Sequence, residues 1–311
     1  MSNVLSQPLK GIIVPMITPL LDRYTLDDAG LEKLIEHILA GGVHGLFILG
    51  TTGEAPSLSY KQRTDLISKV CKQVAKRIPV LVGITDTSFV ESVNMAQTAF
   101  KYGANAVVLA PPYYFPAGQP ELLEYLEHLL PEMPLPLFLY NMPAMTKINF
   151  SIETVLSAAS MDGVAGFKDS SGNLIYFKSL LLALKNKPDF SMFIGPEELL
   201  AEAVLAGGHG GVNGGANIFP RLYVNLYEAA VNKDTQTVAI LQDRVMEISK
   251  NLYGVGKHSS SYLKGVKCAL SCLGICSDFL AEPFHKFREQ EHQKIAEYIN
   301  SCHNLVLEGV S

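Results

Sequence analysis

Short apolar runs alternate with longer stretches of helical periodicity along most of this chain. Gly11-Ile12-Ile13-Val14-Pro15-Met16-Ile17 predicts a first strand. Thr25 to Ala40 predicts an amphipathic helix that stops at Gly41-Gly42, with Thr25 and Asp28 set as a capping box in which Asp replaces the usual Glu or Gln. Leu46-Phe47-Ile48-Leu49 is a continuous apolar run between glycines, as expected of a strand covered on both faces. The alternation then repeats. Helices are predicted from Ser59 to Lys76, Ser88 to Tyr102, Pro120 to Leu130, from Ser151 onward, Asn173 to Leu184 and Glu197 to Leu205. Strands fall between and after them at Val80–Ile84, Ala106–Ala110, Leu135–Tyr140, Gly163–Phe167, Ser191–Ile194 and Gly210–Asn213.

Eight such strands, most followed by a helix, within about 230 residues have the length and rhythm of a (β/α)8 TIM barrel of the α/β class. An open doubly wound sheet is the second choice. It would carry a Gly-rich phosphate turn after the first strand, where this chain has Thr18-Pro19-Leu20-Leu21. Arg221–Asn232, Thr235–Leu252, Ser261–Leu273 and His285–Asn300 also predict helices. The first completes the barrel and the others form a C-terminal helical extension with no linker before it. The expected organisation is a barrel over residues 1–233, carrying the active site, and an extension over 234–311 packed on it.

Composition narrows the function classes. The chain has 311 residues, 48% of them hydrophobic, which is enough for a sizeable core. A net charge of -5 without any basic run argues against nucleic acid. Met1 to Lys10 lacks the apolar centre of a secretory leader, and no uninterrupted apolar segment could span a bilayer. The default expectation is a soluble cytoplasmic protein with no membrane partner. The five cysteines are Cys71, Cys268, Cys272, Cys276 and Cys302. Three recur every fourth residue, on one face of a helix, but no local His or Cys completes a zinc pattern. Packed, reduced thiols and no metal are expected, and the odd count speaks against a disulfide framework.

The polar chemistry collects at strand ends. Phe167-Lys168-Asp169-Ser170 closes the sixth strand. Desolvation disfavours a charged amine, and a neutral lysine can attack a ketone to form a Schiff base. Taken alone, the position also fits a lysine snorkelling to solvent. Strand alternation puts Lys168 on the face of Gly166 and Val164, where Gly166 leaves room beside the lysine stem. The second strand ends in Gly50-Thr51-Thr52-Gly53-Glu54, whose hydroxyls and backbone N–H groups can hold a small carboxylate, or form a plain Gly-Thr turn. The fifth ends in Tyr140-Asn141-Met142-Pro143, where a phenol can relay protons. The eighth is nearly all Gly, Val and Asn, which lines a pocket without filling it. In a barrel these groups share one face.

Together with Pro112-Tyr113-Tyr114, these motifs appear in the order and approximate spacing of the pyruvate-dependent class I aldolases. The chain resembles that dihydrodipicolinate synthase and N-acetylneuraminate lyase superfamily over about its first 290 residues. The resemblance implies a TIM barrel with a C-terminal helical segment, usually a homotetramer. It implies that Lys168 forms the Schiff base with pyruvate and that Tyr140 moves protons. It implies that Thr51, Thr52 and Gly53 hold the pyruvate carboxylate, with both threonines in a hydroxyl relay with Tyr140. Tyr114 would complete that relay from a neighbouring subunit, and Val212 would touch the ketoacid near its methyl group. No metal or other cofactor is implied, because the iminium is the electron sink. The expected partners are pyruvate and a small aldehyde or keto acid.

One position separates the branches. The synthase pattern carries an Arg two residues after the proline of Tyr-Asn-x-Pro, where it clamps the carboxylate of aspartate semialdehyde. This chain has Met145 there, and a thioether donates no hydrogen bond. Lys147 is two residues further on. Neuraminate lyases usually carry Ser where Thr51 stands. The expectation is a lyase that cleaves a 2-keto-3-deoxy acid to pyruvate and an aldehyde. The alternatives are the dihydrodipicolinate synthase reaction, neuraminate lyase, a keto-deoxy acid dehydratase and a non-catalytic pyruvate-binding barrel.

Overall fold

Eight parallel strands close into one barrel in chain order in the computed structural model, which describes residue 5 and residues 7–307. They are β1 (Gly11–Pro15), β2 (Gly45–Ile48), β3 (Val80–Gly83), β4 (Ala106–Leu109), β5 (Leu137–Asn141), β6 (Val164–Asp169), β7 (Ser191–Ile194) and β8 (Gly210–Gly211). β1 pairs with β2 on one side and with β8 on the other, which closes the ring. The helices α1 (Asp28–Ala40), α2 (Tyr60–Val74), α3 (Phe89–Tyr102), α4 (Gln119–Leu129), α5 (Pro143–Thr146), α6 (Ile152–Ala158), α7 (Leu174–Ala183), α8 (Leu200–Leu205) and α9 (Pro220–Val231) alternate with the strands. α10 (Thr235–Ile248), α11 (Ser261–Cys272) and α12 (Glu289–Leu307) follow. The chain thus forms the TIM barrel with C-terminal helices that its pattern predicts.

Strand alternation builds two apolar layers. Ile13, Phe47, Leu81, Phe138 and Phe193 fill the barrel interior, while their neighbours Ile12, Leu46, Val82, Leu139 and Met192 belong to the layer that meets the helices. The alternation fails once. Leu137 lies opposite Val164, but Phe138 lies opposite Gly166, so β6 carries an extra residue. Val164 therefore joins the helix-facing layer and Ala165 the interior, contrary to the grouping of Val164 with Gly166 and Lys168. Gly166 also differs from its expected role. A Cβ there would fall 2.6 Å from Phe138 Cε1, so the Phe138 ring, not the lysine stem, takes the space.

Element ends moved where side chains found distant partners. Thr25 does not cap α1. Asp27 does, accepting from Gly30 N at 2.9 Å with one oxygen and from Ser277 N at 3.1 Å with the other. Thr25 instead donates its backbone N–H to Asp22 in the preceding turn. α10 ends at Ile248, and the predicted last turn is a π-helical segment, Ser249–Tyr253. The short α5 was not predicted. α11 stops at Cys272, so Cys276 leaves the expected stripe and packs beneath Gly30. No helix among the described residues is long and apolar enough to cross a membrane.

Candidate active site

Lys168 is the penultimate residue of β6, and the register sets Tyr140 of β5 beside it on one side and Phe193 of β7 on the other. The lysine is 6% exposed. Its Nζ lies 3.9 Å from the Tyr140 ring centroid and 5.1 Å from that of Phe47. Burial pushes the amine below its ordinary pKa, and Tyr140 opposes this only in part. Burial alone would raise the phenol, but the Lys168 charge and hydrogen bonds with Thr51, Ser170 and Lys168 bring it down. Burial is the chief cause of the Lys168 shift, whereas the Lys168 charge is the chief cause that lowers Tyr140. A neutral amine beside a protonated phenol is therefore the state that desolvation favours, and one proton can pass between the two groups.

Thr51 reaches this pair directly: its hydroxyl and the Tyr140 hydroxyl are 3.3 Å apart. Thr52 does not join them. Its hydroxyl lies 3.1 Å from that of Tyr262, a residue at the start of α11. Gly53 holds the turn, its carbonyl accepting from Thr18 Oγ1 at 2.7 Å. Val212, Thr51, Thr52, Tyr140 and Lys168 line one cavity of about 290 Å³ at the carboxyl ends of the strands. Met145 lines it too, at the mouth and half exposed, while Lys147 points its Nζ back onto Ala144 O at 2.9 Å. Lys168 is the only cationic side chain among the described residues lining the cavity. Tyr114 stays outside: it is 75% exposed, with its ring 5.1 Å from that of Phe115.

Several lining residues escaped strand-end reasoning, Tyr253, Tyr262 and Glu197 among them. Tyr253 and Tyr262 come from the C-terminal helices, rings 4.8 Å apart, and burial raises the pKa of both. Glu197 follows β7 and is buried, accepting from Tyr223 Oη at 2.5 Å, Tyr253 Oη at 2.7 Å and Gly215 N at 2.9 Å. Burial raises its pKa against these donors. The hydroxyl-rich run Ser259-Ser260-Ser261-Tyr262 was a visible signal, but it lies outside the barrel. Behind the cavity, Asn141 Nδ2 donates to Asp169 Oδ1 at 2.9 Å and locks the ends of β5 and β6 together. Glu54 forms a buried ion pair with Lys267 of α11, which ties the threonine turn to the C-terminal helices.

Known proteins share this fold. Residues 8–302 match the model of the dihydrodipicolinate synthetase family. A 4-hydroxy-tetrahydrodipicolinate synthase of Pseudomonas syringae is 30% identical over 298 residues, covering 96% of this chain and 100% of the relative. A dihydrodipicolinate synthase structure from Bacteroides thetaiotaomicron superposes with a TM-score of 0.93 at 60% identity, over 96% of this chain and 100% of that one. A prophage protein of the same family from E. coli K12, solved in complex with pyruvate, gives 0.89 at 26% identity, over 94% and 98% of the two chains.

Proposed function

The chain belongs to the dihydrodipicolinate synthetase family of pyruvate-dependent class I aldolases, and from that membership we propose that it cleaves a 2-keto-3-deoxy acid reversibly to pyruvate and an aldehyde. The observation that carries the lyase branch is the cavity lining. Its second-substrate side offers Met145, Ser259, Tyr253 and Glu198, and no guanidinium or ammonium besides Lys168. Such a surface suits the hydroxyls of a sugar-acid chain. It gives the second carboxylate of aspartate semialdehyde no cationic partner.

The neutral Lys168 amine attacks the C2 carbonyl of the keto acid. The Tyr140 phenol gives its proton to the carbinolamine hydroxyl, which departs as water and leaves an iminium beside the phenolate. Thr51 and Thr52 hold the neighbouring carboxylate on the β2 turn. Tyr140 takes the proton of the C4 hydroxyl as the C3–C4 bond breaks, and the bonding pair moves toward the iminium nitrogen. The aldehyde leaves and an enamine remains. Tyr140 returns the proton to C3, and water releases pyruvate and the free lysine. Thr51 orients the phenol throughout. The reverse sequence joins enamine and aldehyde.

Tyr114 supplies a further hydroxyl to the site of a second copy, within a homotetramer. Its exposure on an aromatic tip beside Phe115 supports that role. Five free cysteines suit a reducing compartment, and the cytoplasm is the proposed location. The competing reading is the synthase reaction, which the names of the curated relatives favour. A panel of 2-keto-3-deoxy acids, with pyruvate followed by a coupled assay, separates the two. Pyruvate release from a sugar acid supports the lyase. Silence toward every sugar acid beside rapid condensation with aspartate semialdehyde overturns it.

A further inference from the structure

The fold assembles a second cluster of reactive side chains outside the cavity. Cys268 and Cys272 stand one turn apart on the same face of α11. His292 reaches them from the first turns of α12. One ligand atom from each of the three lies within 4.8 Å of the others, and Cys272 Sγ is 4.0 Å from His292 Nε2. We propose that Cys268, Cys272 and His292 form a binding site for a thiophilic divalent cation of the zinc type.

The sequence argued against a metal only because no His or Cys lies nearby along the chain. The turn between α11 and α12 removes that objection by folding a histidine back from twenty residues away. Tetrahedral zinc, with bonds of about 2.3 Å to sulfur and about 2.0–2.1 Å to nitrogen, holds its ligands roughly 3.5–3.8 Å apart. The present ligand atoms, within 4.8 Å of one another, stand about 1 Å wider than that spacing. Asp278, whose Oδ1 lies 3.5 Å from Lys286 Nζ, is not one of the three clustered ligands, so water would take the fourth position.

Plain thiol packing has a different appearance here. Cys276 is buried against α1 and takes part in no such cluster. A disulfide between Cys268 and Cys272 would make no use of the imidazole. A cation held by three protein ligands from two helices would pin α12 to α11. Tyr262, at the other end of α11, lines the catalytic cavity.

The test uses the full chain, reduced and metal-free, titrated with cobalt(II). The expected result is one cobalt per chain with a thiolate-to-cobalt charge-transfer band, bleached by one equivalent of zinc. Cys268→Ser, Cys272→Ser and His292→Gln should each weaken binding by about tenfold or more. Zinc should raise the Tm of the wild-type chain and leave the Cys268→Ser/Cys272→Ser variant unmoved. Absence of the band at stoichiometric cobalt overturns the proposal, as does an unchanged band in the double variant. A measurement free of variants covers the case in which they fail to fold. Zinc should protect Cys272, the more exposed of the two thiols, from iodoacetamide, and equal labelling with and without zinc overturns the site.

Discussion

Tyr140 sits directly beside Lys168 in the β5–β6 ladder, with the amine nitrogen 3.9 Å from the centre of the phenol ring. The backbone register, not side-chain flexibility, brings the proposed nucleophile and its proposed proton carrier together. Only the free base attacks a ketone, and burial lowers the Lys168 pKa below the ordinary 10.5. The rate of borohydride-trapped adduct formation with pyruvate should therefore rise with pH and level off below the pH at which an ordinary lysine would. Mass spectrometry should place the label on Lys168. The Lys168→Ala variant should show no adduct.

Tyr140→Phe keeps the ring beside the amine and removes the hydroxyl. Adduct formation should survive, while kcat for cleavage falls by about 10²–10⁴. Thr51→Val deletes the 3.3 Å hydrogen bond to the phenol and the hydroxyl proposed to hold the carboxylate. A loss of roughly tenfold is expected there. Steady-state kinetics beside intact-mass trapping reads both variants, and a Tyr140→Phe enzyme of normal kcat would remove the phenol from the mechanism.

Met145 stands at the mouth of a cavity whose lining, among the described residues, carries no cation besides Lys168. Met145→Arg should raise kcat/KM for condensation with aspartate semialdehyde by about tenfold to a hundredfold, since a charged hydrogen bond contributes about 1.5–3 kcal/mol. Activity on a 2-keto-3-deoxy acid should not improve. Equal gains on both substrates would mean that the residue does not select between them.

Lys267 and Glu54 form an ion pair with side chains 0% and 3% exposed. Lys267→Met leaves the Glu54 carboxylate buried without its partner, at a cost of ~3–5 kcal/mol. Urea unfolding should show this loss, and adding Glu54→Gln should recover part of it. Additive effects of the two substitutions would show that the residues act independently.

Tyr114 is 75% exposed in the single chain and lies outside the cavity. If it serves the site of another copy, specific activity should fall when dilution separates the subunits. Tyr114→Ala should lower kcat in the undiluted oligomer. Constant specific activity down to a monomer shown by analytical ultracentrifugation would exclude the residue from catalysis.

Local chemistry determined the barrel and half of its site. Short apolar or glycine-rich runs between helical stretches marked the eight strands, because a strand buried on both faces carries few polar residues. Lys168, Tyr140, Thr51 and Val212 were legible because barrel topology sends every strand's carboxyl end to the same mouth. Contacts between distant residues decided the rest. The extra residue in β6 moved Val164 out of the interior, and a bulge of this kind leaves no mark in a run where every residue is apolar. Thr52 turned to Tyr262, Glu54 found Lys267, and Asp27 displaced Thr25 as the cap of α1 by also binding Ser277. His292 came to the two thiols from another helix. Each of these partners lies outside the window over which periodicity and capping act, so only closure of the barrel and docking of the C-terminal helices could choose it.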